Sequence, residues 1–180
     1  TGKLLSPSDL VSTQLHSIYG VIDPLTPGVV YPDLRNELKK FTATSALEIQ
    51  CAETATICDS ENTKGWVADF AVNTGEQVNV DMVLAGGTLV VGTNQPVQDV
   101  CSTDARGRIY FVNPALGISV GPGVDLLTVG LVGIELGLDS NGDIQSYVYD
   151  SKGGVKILNP PQPFNPQGAN RMSWRELTGK

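Results

Sequence analysis

The sequence predicts an all-β fold, a run of antiparallel meanders with one short helix, and three observations predict it. Glycine and proline number 20 and 11 among 180 residues while only 17% are charged, a balance that favours many turns between short strands over long solvated helices. From Lys64 to Gly117, apolar runs of strand length alternate with Gly, Asn and Pro punctuation. The pairs Asn141-Gly142 and Gly153-Gly154 lie between apolar runs, where they supply the positive φ angles of tight hairpins. Short antiparallel strands joined in succession by tight turns form the blade of a β-propeller; a β-sandwich is the alternative use of the same strands.

Taken in order, Thr1 to Ser8 is a polar lead-in and Leu15 to Ile22 a strand ending at Asp23-Pro24, with a loop through Pro27-Gly28. Asp33 to Phe41 carries the helix signal: Leu34, Leu38 and Phe41 fall at i, i+4 and i+7, with an acidic start and a basic finish that suit the helix dipole. Residues 42–63 form a cysteine loop with a strand at Ala46 to Gln50. Trp66 to Phe70 alternates as a strand, and Gln77 to Val83 alternates again through Val78, Val80 and Met82. Ala85-Gly86-Gly87 turns the chain into Thr88 to Val91, and a loop holding Pro96 and Cys101 leads to a strand from Arg108 to Val112, stopped by Asn113-Pro114 and Gly117. Ile118 to Pro122 then leads through Gly121-Pro122-Gly123 to the apolar run Val124 to Leu138. The glycines of that run, Gly130, Gly133 and Gly137, favour two strands or a bulged strand over a helix. Asp139 to Asp143 joins it to Ile144 to Tyr149, and Ser151 to Gly154 repeats the turn before Val155 to Leu158. Pro160, Pro161, Pro163 and Pro166 make 159–170 an extended crossover that carries Met172 to Leu177 to its place as a terminal strand.

The length suits a single domain, 1–180. A net charge of -7, with no basic run longer than Lys39-Lys40, leaves no footprint for a nucleic-acid backbone. Val124 to Leu138 is broken by Asp125 and Glu135 and falls short of the roughly 20 apolar residues a membrane helix needs. Thr1-Gly2-Lys3-Leu4 lacks the parts of a signal peptide, so an export signal is expected upstream. Cys51 and Cys58, six residues apart, suit a disulfide that closes a small loop, because no histidine or second cysteine pair nearby completes a zinc site; Cys101 is left over, inert or paired upstream. A disulfide implies an oxidising compartment.

Few residues point to chemistry. His16, the single histidine, reads as a hydrogen-bonded structural residue of an apolar strand, with no nucleophile or acid placed with it by any motif. No catalytic residue is assigned. Asp139, Asn141 and Asp143 at alternate positions with Gly142 are the metal candidate, like the first half of a calcium loop, against a plain hairpin turn. Arg106-Gly107-Arg108 has Arg108 where an integrin-type Arg-Gly-Asp has aspartate, and no receptor binding is transferred from it. Trp174, with Arg175 and Glu176, reads as an apolar anchor flanked by an ion pair.

Gly65-Trp66-x-x-Asp69-Phe70, Thr74-Gly75-Glu76-x-Val78, the Gly86-Gly87 strand, Asp99-x-Cys101-Ser102 and Asn113-Pro114-x-x-Gly117 follow one another in an order that resembles the C-terminal propeller portion of the PilC/PilY family. His16 to Asp23 and the closing Ser173-Trp174-Arg175-Glu176 agree with it. The resemblance implies a non-enzymatic type IV pilus tip adhesin and assembly factor, exported to the pilus tip or outer cell surface and mediating surface attachment. It implies as partners the remainder of a PilY-like propeller or further copies of the chain, minor pilins, and a host or abiotic surface. No cofactor is expected within this chain; the family's calcium loop would lie in the absent upstream part. A quinoprotein-like propeller enzyme and a free-standing β-sandwich adhesin or binding module are the alternatives. Since a blade has four strands and closed propellers about 4 to 8 blades, the chain would supply two or three.

Overall fold

A computed structural model describes residues 8–28, 30, 32–52, 64–97, 105–127 and 129–162. Among them, strands β1 to β11 build three sheets with no closed barrel, beside one short α-helix and a 3-10 turn at Asp9–Val11. The all-β expectation with one short helix holds. Three sheets replace the two of the sandwich alternative.

The first sheet holds β1 (Ser17–Val21), β2 (Lys39–Ala43), β3 (Ile49–Cys51) and β4 (Gly65–Asp69), in the order β1-β4-β2-β3. β4 pairs antiparallel with β1 and parallel with β2. The helix expected over 33–41 is confined to α1 (Leu34–Glu37), and the correction has a tertiary cause. Phe41, read as the third apolar position of a helix, is instead a core residue of β2, 3% exposed, and its register with Ala68 in β4 holds 39–43 extended.

The second sheet is a sequential antiparallel meander of β5 (Val83–Ala85), β6 (Thr88–Pro96), β7 (Ala105–Val112) and β8 (Ser119–Asp125). Gly86 and Gly87, both at positive φ, make the expected two-residue turn between β5 and β6. Pro96 belongs to the end of β6, opposite Ala105, and not to a loop. Gly121-Pro122-Gly123 lies within β8. β8 runs through it as an edge strand, where a proline needs no ladder partner on its open side, and the register with β7 shifts there as a bulge. The strand expected at Gln77 to Val83 reduces to a single bridge, Gln77 to Asn94, before β5. Side chains anchor that stretch, as described below.

The third sheet is the meander β9 (Leu131–Leu138), β10 (Ile144–Asp150) and β11 (Val155–Leu158), so Val124 to Leu138 does divide into two strands. Both of its hairpins form where expected, with Gly142 and Gly153 at positive φ. After β11 the chain from Asn159 crosses back to the second sheet, where the Thr88 hydroxyl donates to the carbonyl of Pro161. Met172 to Leu177, Cys58, Cys101 and the remainder of the crossover lie outside the described residues.

The sheets are stacked face on face, and alternation along β6 and β7 sets the order. Val91, Tyr110 and Val112 pack with Ile18, Phe41, Trp66 and Ala68 of the first sheet. Val90, Ile109 and Phe111 point the other way and pack with Leu131, Ile134 and Val148 of the third. The second sheet is therefore buried on both faces, which is why β6 and β7 lack the polar alternation of a half-exposed strand.

Candidate functional site

A polar cluster lies at the Thr93 to Pro96 end of β6, where a carboxylate is buried between strands. Thr74-Gly75-Glu76 turns tightly, with Gly75 at positive φ beneath the carbonyl of Ser12, and drives Glu76 into the interior at 1% exposure. One Glu76 oxygen accepts the Thr93 hydroxyl at 2.7 Å and the Tyr110 hydroxyl at 2.7 Å; the other is ion-paired to Arg108 of β7. Burial, and then the negative charge of Glu76, push the Tyr110 phenol far above its ordinary pKa, so it stays a proton donor to the carboxylate. A carboxylate with both oxygens committed in this way is a brace between strands, not a free base.

Asn94, the next residue of β6, ties this end of the second sheet to the third. Its amide donates to the Leu131 carbonyl at 2.8 Å and to Asn79 Oδ1 at 2.7 Å, while its own oxygen accepts the Leu131 N–H at 2.6 Å. With Gln77 bridged to the Asn94 backbone, these bonds hold 76–79 by side chains. That accounts for the missing strand.

Arg106-Gly107-Arg108 is absorbed into the same scaffold. Arg106 is ion-paired with Asp125 and Arg108 with Glu76, while Gly107 exchanges backbone bonds with Leu126 and Val129. Burial acts to raise the Asp125 pKa, but the bonds from Arg106 and from the Leu127 amide outweigh it and leave the group below its ordinary value.

The candidate metal residues are brought together as a turn. Asp139 Oδ1 accepts the amides of Asn141 at 2.8 Å and Asp143 at 2.9 Å, and those amides hold its pKa below the ordinary range. Asp150 caps the next hairpin identically through the amides of Lys152 and Gly154, both at 2.8 Å. The carboxylate of Asp139 thus faces its own backbone, as in an Asx turn. Among the described residues, no three His, Cys, Asp or Glu side chains cluster as metal ligands. Asp125 and Asp139 are both depressed, so each contributes stability that is present above the unfolded carboxylate pKa of about 3.9 and lost as pH falls through the lower folded value. Below about pH 4, the melting temperature of the native chain is expected to fall more steeply than that of an Asp125→Asn, Asp139→Asn variant; parallel curves would refute this.

His16 is half-buried, its pKa lowered by desolvation, and its carbonyl accepts the Phe70 amide. Cys51 ends β3 and is disulfide-bonded; its expected partner Cys58 is outside the described residues. Beside it, an open groove of about 430 Å³ runs between the edges of β3 and β8, lined by Phe41, Ile49, Ile118 and Val120 and bridged by the Ile49 amide on Ser119 Oγ.

A second junction escapes any reading of the sequence. The Trp66 indole lies between Gly20 of β1 and Gly117, where an added Cβ would approach the ring within 2.3 and 2.5 Å, and its Nε1 donates to the Pro114 carbonyl at 2.8 Å. Asn113 caps that turn by accepting the amides of Ala115 and Leu116. The Gly-Trp strand of the first sheet and the Asn-Pro-x-x-Gly turn of the second are thus two halves of one contact.

No protein-family model matches the chain, and no solved structure matches it. Among curated proteins it is similar to a type IV pilus biogenesis factor PilY1 homolog of Xylella fastidiosa, 24% identical over 213 aligned positions that cover 98% of this chain and 16% of that protein. It is also similar to the type IV pilus biogenesis factor PilY1 of Pseudomonas aeruginosa, 30% identical over 135 positions, 64% of this chain and 12% of that one. The chain therefore spans less than a fifth of the length of either relative. At 24–30% identity the likeness is weak, yet it runs along almost the whole chain and supports kinship with the PilY-like type IV pilus biogenesis factors.

Proposed function

We propose that the chain is a segment of a PilY-like type IV pilus factor, exported to the cell surface, where it serves pilus assembly and attachment without catalysing a reaction. The observation that carries this reading is the similarity over 98% of the chain to a relative named for type IV pilus biogenesis. Two of the motifs behind the resemblance, Gly65-Trp66 and Asn113-Pro114-x-x-Gly117, meet across the first two sheets, and a third buries Glu76 against β6 and β7, so the residues that carry the resemblance have structural roles here. The sequential four-strand order β5-β6-β7-β8, buried on both faces, supports reading the stacked sheets as consecutive propeller blades. A tip location and an adhesin role complete the proposal; a braced Glu76 and aspartates turned onto their own backbone favour a binding scaffold over an enzyme.

Deletion of the segment encoding residues 8–162 from the full gene, in the source bacterium, tests it. Surface pili counted by electron microscopy and attachment to an abiotic surface are expected to fall, with the shortened protein still found by immunoblot in the exported fraction. Normal pili together with normal attachment would overturn the proposal.

A further inference from the structure

Two sheet edges come together on the flank of the stack. β3 is an edge of the first sheet and β8 an edge of the second, and the apolar groove between them is lined by Phe41, Ile49, Ile118 and Val120. The strands touch at two places: the Ile49 amide donates to Ser119 Oγ at 2.7 Å, and Gly123 lies so near Leu47 that an added Cβ would come within 2.6 Å of it. Backbone groups also face the gap. The Thr44 amide donates to the Glu48 carbonyl and Gln50 stands opposite Thr42, so the alternation of an antiparallel pair turns the carbonyl of Ile49 away from β2 and towards the groove. Glu48, half-buried at the rim, has no ion-pair partner among the described residues.

The chain leaves the described residues beside this groove. Pro161 lies against Gly121, a groove residue, where an added Cβ would meet the proline ring at 2.8 Å, and the Thr88 hydroxyl pins the Pro161 carbonyl there. Residues 163–180 follow in the sequence, and among them Met172, Trp174 and Leu177 are apolar while Arg171 and Arg175 are basic. The twelve residues from Pro163 to Trp174 can span up to about 40 Å when extended, so the reach suffices for a return round the edge of β8. An open edge next to an exposed apolar side chain such as Ile118 is a feature that soluble proteins seldom leave uncovered.

We infer that the groove between β3 and β8 is the docking site of the chain's own segment Arg171 to Leu177, with Trp174 as the apolar anchor and Glu48 answering the positive charge of Arg171 and Arg175. Three observations select this occupant: the chain is held at Gly121 just before the segment begins, the groove offers apolar walls and an outward carbonyl, and its rim carries a carboxylate where the segment brings two cations. A tryptophan suits such a place because it buries a large apolar area and still has an N–H to give to a backbone oxygen. Docked there, the segment straps the edge of the first sheet to that of the second, on the flank away from the Glu76 brace. The inference uses only residues of this chain and does not depend on the proposed function.

Hydroxyl-radical labelling read by mass spectrometry tests this on the 180-residue chain. Ending the chain after Gln162 is expected to raise the labelling of Ile118 and Val120 about fivefold, with Leu25, 86% exposed and outside the groove, labelled equally in both. In the intact chain, Glu48→Arg is expected to raise the labelling of Trp174 and Ile118 together, and Arg171→Glu with Arg175→Glu in that background to return both to the native level. This second arm needs no truncation and decides the matter if the shortened chain does not fold. Groove labelling unchanged by truncation overturns the inference, and so does Trp174 labelling indifferent to Glu48→Arg, because the segment then lies elsewhere. Protection that weakens on dilution overturns it as well, by assigning the occupant to a second copy. Neither arm is read through pili or attachment, so failure here leaves the proposed function standing.

Discussion

Replacing Trp66 with alanine is expected to lower the stability of the chain by about 3–5 kcal/mol, the range for removing a buried aromatic side chain. Trp66 is 3% exposed and fills the space between Gly20 and Gly117, so nothing adjacent can collapse into the void without moving β1 or the turn after β7. Loss of the indole also removes the 2.8 Å bond to the Pro114 carbonyl. For a chain of this length such a change corresponds to a fall of roughly 10 °C in melting temperature. Gly117→Ala attacks the same contact from the other side: it places a Cβ 2.5 Å from the ring at a residue with φ +79, and is expected to cost about 1–3 kcal/mol. Combined, the two changes should cost less than their sum, because the cavity left by Trp66 admits the new methyl group. Thermal and denaturant melts of the three variants measure this. A Trp66→Ala chain within 1 kcal/mol of the native one would show that the two sheets are not joined here.

Which parts of this architecture can be read from the chain follows from the range over which the controlling interactions act. The hairpins at Gly86-Gly87, Asn141-Gly142 and Gly153-Gly154 are legible because a positive φ is a demand on one residue, met by glycine whatever surrounds it. Leu34, Leu38 and Phe41 mislead for the opposite reason. Their helical spacing is real, but the partner that decides the conformation of Phe41 is β4, beyond the cysteine loop, and a parallel neighbour leaves no local mark. That Gly121-Pro122-Gly123 can lie inside a strand follows only once β8 is known to be an edge. The candidate calcium residues were legible as a turn, and the same aspartate-led pattern recurs at Asp150. Glu76 was not legible as a buried group. Thr-Gly-Glu marks a turn, and only the arrival of Thr93, Arg108 and Tyr110 from two later strands makes an interior carboxylate tolerable.

Glu76→Ala is accordingly expected to be among the most damaging single substitutions, at about 3–5 kcal/mol, because it breaks a buried ion pair by removing one partner only. Arg108, with its side chain 14% exposed, would keep its charge in a place where its Nε already lacks a hydrogen-bond partner among the described residues, and Thr93 and Tyr110 would lose their acceptor together. The penalty belongs to the orphaned groups more than to the lost attraction. A chain carrying Glu76→Leu with Arg108→Leu should therefore recover most of the loss, since apolar residues of similar size can replace a buried pair at little cost. The Glu76–Arg108 pair is shielded from solvent, so the effect of Glu76→Ala should change little between low and high salt, unlike that of disrupting the half-exposed Arg35–Asp69 pair. Denaturant melts of the single and double variants at two ionic strengths give the coupling energy directly. A single variant within 1 kcal/mol of the native chain, or a double variant no more stable than Glu76→Ala, would mean that Glu76 does not brace the second sheet and that the Thr74 to Val78 turn is held by its backbone alone.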